Sequence, residues 1–159
     1  VDVGNEEYWM NLIADEMEDD LLSDGIGFVR NDRTTNAATA IRESNSGNYD
    51  LHFAIHSNAS PASLAGSMRG SDVYYYPGSS EGKRAADIIV KNLKMIYPDP
   101  ENVRALPTTT IGEVRRTRAP AVLIELAYHD NPEDARWIRE NVSEIAGNLA
   151  DSVSEFLYT

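Results

Sequence analysis

The chain has 159 residues, enough for one domain with a sizeable core. Its 26 acidic residues outnumber 14 basic ones, a net charge of -12, which argues against a nucleic-acid partner and against simple adsorption to anionic membranes or wall polymers. There is no cysteine and there are three histidines, His52, His56 and His129, so disulfides and thiolate-held zinc are excluded and a metal would need His, Asp, Glu or water.

From Glu6 to Ser23, Trp9, Leu12, Ile13, Met17 and Leu21 recur at helical spacing with acids between them, which predicts a helix with one buried face. Asp24-Gly25 ends it, and Ile26 to Val29 reads as a short strand. A second helix is expected over Asn36 to Glu43, closed by the Ser44 to Gly47 cluster. Leu51 to Ile55 reads as a buried strand, and Ser57 to Gly70 as a long loop; loops beyond about 12 residues in a compact domain tend to be functional.

Asp72 to Tyr76 predicts a third strand, stopped by Pro77-Gly78, and Glu81 to Ile96 a helix through Ala85, Ile88, Ile89, Leu93 and Ile96. Pro98 to Pro107 reads as a proline-interrupted connection. Ala121 to Leu126 is an apolar strand, and Asn131-Pro132-Glu133-Asp134 supplies an N-cap, a proline at the first helical position and acids in the first turn. A last helix, Ser143 to Leu157, buries Ile145, Leu149, Val153 and Phe156. Helices alternating with short apolar strands predict a three-layer α/β/α domain whose mixed, mostly parallel sheet is flanked by helices.

Two segments carry ionisable groups at strand ends, where ligands sit in open α/β sheets. His56 closes the Leu51 to Ile55 strand, and its ring should emerge at the sheet rim. Glu125 lies inside Ala-Val-Leu-Ile-Glu-Leu-Ala with no neutralising neighbour in sequence, so it needs a spatial partner and is a candidate for general acid/base work; an ion pair with Arg115, Arg116 or Arg118 is the alternative. His52 reads as a satisfied core histidine and His129 as a loop or helix-start residue. Glu6 and Glu7 open the first helix, where its dipole favours carboxylates.

In order along the chain stand Glu7 before Asn11-Leu12, Arg30, Arg42 with Asn45, Ala54-Ile55-His56-Ser57-Asn58, Gly70-Ser71-Asp72-Val73-Tyr74-Tyr75, and Pro120-Ala121-Val122-Leu123-Ile124-Glu125 followed by Asn131 and Asp134. By this series the chain resembles the zinc-dependent N-acetylmuramoyl-L-alanine amidases of bacterial cell-wall hydrolases and phage endolysins. The resemblance implies that Glu7 and His56 ligate zinc, with Glu6 as fallback if the register slips by one, that Glu125 is the catalytic carboxylate, and that Arg115 and Asn58 bind substrate.

It further implies peptidoglycan as the partner, cleavage of the amide between the lactyl group of N-acetylmuramic acid and L-alanine, and a place outside the cell or in its wall, or in the cytoplasm until lysis for a phage lysin. A separate cell-wall-binding domain is an expected companion; nucleic acid and membrane are not. The family's first ligand, a histidine after a first strand, has no counterpart before His52. One expectation is therefore a single domain over residues 1–159, truncated at its N-terminus; others are that His52 substitutes, or that the domain kept binding and lost hydrolysis. A zinc carboxypeptidase of similar fold is the remaining alternative.

Overall fold

The computed structural model describes residues 6–31 and 35–159. Helix α1, Glu6–Ser23, buries Met10, Ile13, Met17 and Leu21 on the face that the spacing predicts. It ends in a Schellman motif: Gly25 takes a φ of +75°, the Ile26 N–H donates to the Leu21 carbonyl at 2.9 Å, and that of Gly25 to Leu22 at 3.0 Å. Gly25 suits the left-handed position because it has no Cβ to clash.

The strand expected at Ile26 to Val29 does not form. Ile26 is buried against the end of α1, while Val29 is 72% exposed. Arg30 holds the extended segment to α1, donating to the Asn11 side chain and carbonyl and pairing with Asp15 and Glu18.

Helix α2, Ala37–Ser46, starts at Asn36, whose side chain accepts the Thr39 N–H at 2.9 Å. Strand β1, His52–Asn58, then leads through the long loop, with a single 3-10 turn at Ala62–Leu64, to β2, Ser71–Tyr75, and helix α3, Ser80–Leu93. The segment expected to be a mere connection contains β3, Val103–Pro107, and it is followed by a one-turn helix, α4, Gly112–Arg115. Strand β4, Ala121–Tyr128, and helices α5, Pro132–Glu140, and α6, Val142–Tyr158, complete the chain.

The sheet order is β1-β4-β2-β3, with β1 parallel to β4, β2 parallel to β3 and β2 antiparallel to β4. This is the mixed, mostly parallel sheet that the patterning predicts. β3 is an edge strand, a position that tolerates its terminal proline because no further strand needs that N–H.

Alternation sends the two faces of each strand to different layers. Phe53, Ile55, Val73, Tyr75, Val103, Val122, Ile124 and Leu126 face the main core with α1, α3 and α6. Ala54, Tyr74, Ala121 and Leu123 face a smaller cluster closed by Ile111 and Val114 at α4. Ile13, Ile124, Leu126, Ile138, Ile145 and Leu149 are fully buried. At about 1.5 to 3 kcal/mol per large apolar side chain, they outweigh surface ion pairs such as Lys83–Asp87, each worth at most about 1. Among the described residues no helix is long and apolar enough to cross a membrane.

The loop enters β2 through Gly70, with a φ of +120°; a Cβ there would lie 2.4 Å from the Asn102 carbonyl oxygen. Strain and a backbone clash coincide, so Gly70→Ala is expected to cost about 2 kcal/mol or more, read as a lowered urea midpoint with an unchanged slope.

Candidate active site

His56 and Glu125 are register partners on the adjacent parallel strands β1 and β4. Glu125 is in turn the partner of Asp72 on β2, and Asp72 of Arg104 on β3. The four therefore form one row across the whole sheet, on the face of the smaller cluster, where its apolar surface turns polar. His56 is exposed at the edge of the row and Glu125 is half-buried.

The row continues in Tyr128 because of a bulge. Between the pairs His56↔Glu125 and Asn58↔Tyr128, Ser57 alone faces both Leu126 and Ala127. Ala127, with a φ of +118°, absorbs the extra residue, a conformation costing a non-glycine residue of the order of 1 kcal/mol or more. The slip brings Tyr128 onto the face of Glu125, to which simple alternation would not send it. Burial pushes the Tyr128 hydroxyl up, and Asp72, Tyr74 and Glu125 add to this against the opposing charge of Arg104. The Tyr74 hydroxyl is raised by burial, Asp72 and Glu125 in the same way, so both phenols stay protonated donors beside the row. Burial also raises the Asp72 carboxyl, an effect the adjacent Arg104 opposes.

The other expected residues fall around this row. Asn58 ends β1; its side-chain oxygen accepts the Ala59 N–H at 2.9 Å and its carbonyl the His129 N–H at 2.8 Å. Arg115 is exposed on α4, over the same sheet face. Glu7 is exposed in the first turn of α1. Gly25 to Gly27 share a hollow with Asp50 and Pro120, which precede β1 and β4, so α1, which packs on β1, runs antiparallel to it and aims its first turn at the rim holding His56. The Glu6 side chain lies outside the described residues.

His52 pairs with Glu113 at 2.8 Å, joining β1 to α4 as a satisfied histidine. Ser57 and the buried His129 are hydrogen-bonded, Oγ to Nδ1, at 2.8 Å, so His129 fastens the end of β1 rather than only opening a helix. Sequence reasoning missed Asp72 and Arg104 as neighbours of Glu125, although alternation within Ser71 to Tyr75 placed Asp72 on one face.

The loop before β2 is pinned rather than loose. Burial would raise the Asp130 carboxyl, but the N–H groups of Gly66 and Ser60, at 3.0 and 3.2 Å, hold it below the usual carboxylate range. Asn131 caps α5 through the N–H groups of Glu133 and Asp134 and donates to the Gly66 carbonyl at 3.1 Å. Asp134, fully buried, accepts from the N–H of Gly70 at 2.9 Å, the N–H of Tyr128 at 3.0 Å and the Tyr97 hydroxyl.

His56 nitrogen and Glu7 oxygen are donors of the kind zinc takes, but catalytic zinc sites have three protein ligands. Among the described residues no group of three His, Asp or Glu side chains is placed to hold a metal. The described residues alone do not make a complete zinc site.

The family model of N-acetylmuramoyl-L-alanine amidases matches residues 3–155. The chain belongs to this family. The catalytic domain of the CD27L endolysin targeting Clostridia difficile shares the fold with a TM-score of 0.76 at 25% identity, over 92% of this chain and 81% of that one. Cwp6 from Clostridium difficile gives a TM-score of 0.82 at 25% identity, over 96% of this chain and 25% of that one. An uncharacterised protein of Clostridium perfringens (strain 13 / Type A) is 26% identical over 128 residues, 78% of this chain but only 36% of its own length, so the chain spans about a third of this curated relative. Membership of the amidase family agrees with the resemblance read from the Glu7 to Asp134 series.

Asp130 gives this site a pH dependence. Its folded carboxyl is depressed below the usual value near 3.9, so its contribution is present above about pH 4 and lost as pH falls through the folded value. Heteronuclear NMR should show the Gly66 and Ser60 amides losing their native shifts in that acid window, and Asp130→Asn should abolish the transition.

Proposed function

We propose that the chain hydrolyses the amide between N-acetylmuramic acid and L-alanine in peptidoglycan, with Glu125 as the acid/base. The observation that carries this reading is the register pair His56↔Glu125 at the carboxyl-end rim of a sheet belonging to the amidase family. Glu125 takes a proton from the attacking water and returns it to the departing alanine amine, a role worth about 10²- to 10⁴-fold in rate. The pinned loop from Ala59 to Gly70 forms a wall of the substrate groove, with Asn58 at its root; Arg115 contacts the substrate from α4.

Zinc dependence is part of the proposal, with Glu7 and His56 as two of its ligands, as is action outside the cell or in its wall. A non-hydrolytic wall-binding domain is the second reading, favoured by the short donor set among the described residues.

Purified protein should release stem peptides bearing a free alanine amine from peptidoglycan, read by mass spectrometry. Glu125→Gln should lower that rate by about 10²-fold or more at unchanged thermal stability; an unchanged rate refutes the assignment. A chelator should abolish turnover and added zinc restore it, and Glu7→Ala or His56→Ala should each lower the zinc content measured by atomic emission. Metal-free native protein that binds the polymer without releasing peptides would establish the second reading.

A further inference from the structure

The row that holds His56 and Glu125 continues for two more strands, and the proposed hydrolysis gives Asp72 and Arg104 no task. Both the Nε and the Nη2 of Arg104 lie on the same oxygen of Asp72, Oδ1, at 3.2 and 3.1 Å. A guanidinium serving only to neutralise a carboxylate gains most from meeting both oxygens. Here one edge of the fork is anchored to one oxygen, and the Arg104 side chain remains 59% exposed over an Asp72 side chain that is 8% exposed. Burying a carboxylate carries a desolvation cost, and what it secures is a cation fixed at one point of the face that carries Glu125. Tyr74 and Tyr128 set two phenol donors beside the row, each coupled electrostatically to Glu125, Asp72 and Arg104.

Position identifies the ligand. Strands lie about 4.8 Å apart, so Arg104 stands about 10 Å across the sheet from Glu125. A stem peptide leaving the scissile amide covers about 7 Å in two extended residues, and the arginine side chain spans the remainder. A chain with a net charge of -12 repels an anionic peptide unless a fixed cation receives it. The geometry points to Arg104, held by Asp72, as a specificity residue that binds the carboxylate of the second stem-peptide residue. This rests on the amidase reading above and assigns a subsite within it.

The test compares two muramoyl peptides that differ only at the second residue, one with a free carboxylate and one with a carboxamide. Arg104→Gln should raise KM for the carboxylate form about tenfold, the scale of a charge-assisted hydrogen bond, with kcat within about twofold and the carboxamide form unaffected. Arg104→Lys should recover part of the loss. The double variant Asp72→Asn/Arg104→Gln leaves no buried charge uncompensated, so it should fold like the native chain and show the same raised KM for the carboxylate form as Arg104→Gln. Equal losses on both substrates, or none on either, would overturn the assignment.

Binding of L-alanyl-D-glutamate, followed by NMR at the Arg104 side chain, separates the two readings. Dipeptide bound through Arg104 by a native chain that releases no stem peptide sinks the amidase reading and keeps the subsite. Normal release that Arg104→Gln leaves unchanged, with no dipeptide bound at Arg104, sinks the subsite and keeps the amidase.

Discussion

The buried carboxylate of Asp134 fixes two pieces of backbone and one tyrosine side chain that would otherwise have no common reference. It receives the N–H that opens β2, the N–H at the bulged end of β4 and the hydroxyl of Tyr97, from within the first turn of α5. Both backbone donors sit where the regular ladder gives out, and leaving a buried donor unpaired costs about 1 to 3 kcal/mol. Burial and the bond to Asp134 push the Tyr97 hydroxyl up, so it remains a protonated donor at neutral pH. The rim is thus rigid because one acceptor gathers several strand and loop ends, and Asp130 and Asn131 extend the same device to the loop.

On that fixed rim the mixed sheet brings together residues that a purely parallel one would separate. The carboxyl ends of β1 and β4 bring His56 and Glu125, whereas β2, running the other way against β4, brings its beginning, Asp72. β3 follows β2 in parallel and adds Arg104. One line of side chains therefore passes from imidazole through two carboxylates to guanidinium. The bulge at Ala127 adds a phenol from the same strand that holds Glu125. Backbone strain at that residue and the polar break in an apolar face have one effect: polar groups are concentrated around Glu125.

Much of this was legible in local pattern. The isolated charge of Glu125 in an apolar run, the cap at Asn131-Pro132 and the helical spacing of α1, α3 and α6 express burial and capping that act within a few residues. The failures arose where distant parts of the chain decide. Pro98 to Pro107 reads as a connection because prolines interrupt it, yet its second half, Val103 to Pro107, is an edge strand with one unpaired side that tolerates the terminal proline. Ile26 to Val29 had strand composition, but its one buried residue caps a helix and its neighbours meet water. The proximity of Asp72 and Arg104 to Glu125 depends on strand order, which no local window contains, and the facing of Tyr128 depends on a bulge that breaks the alternation any reading assumes.

The order of the strands also sets when the protein comes into being. β4 is the last strand to be synthesised and the one that lies between β1 and β2. Among the described residues, until it leaves the ribosome β1 has no strand to pair with and β2 with β3 is an isolated pair, below the size at which a sheet is stable in water. Loop closure across most of the chain must precede the central pairing, which makes folding slow and cooperative rather than progressive. A prematurely terminated product that stops before Ala121 carries His56 and Glu7 but lacks β4 and with it Glu125, the strand and the carboxylate that complete the sheet and its polar row.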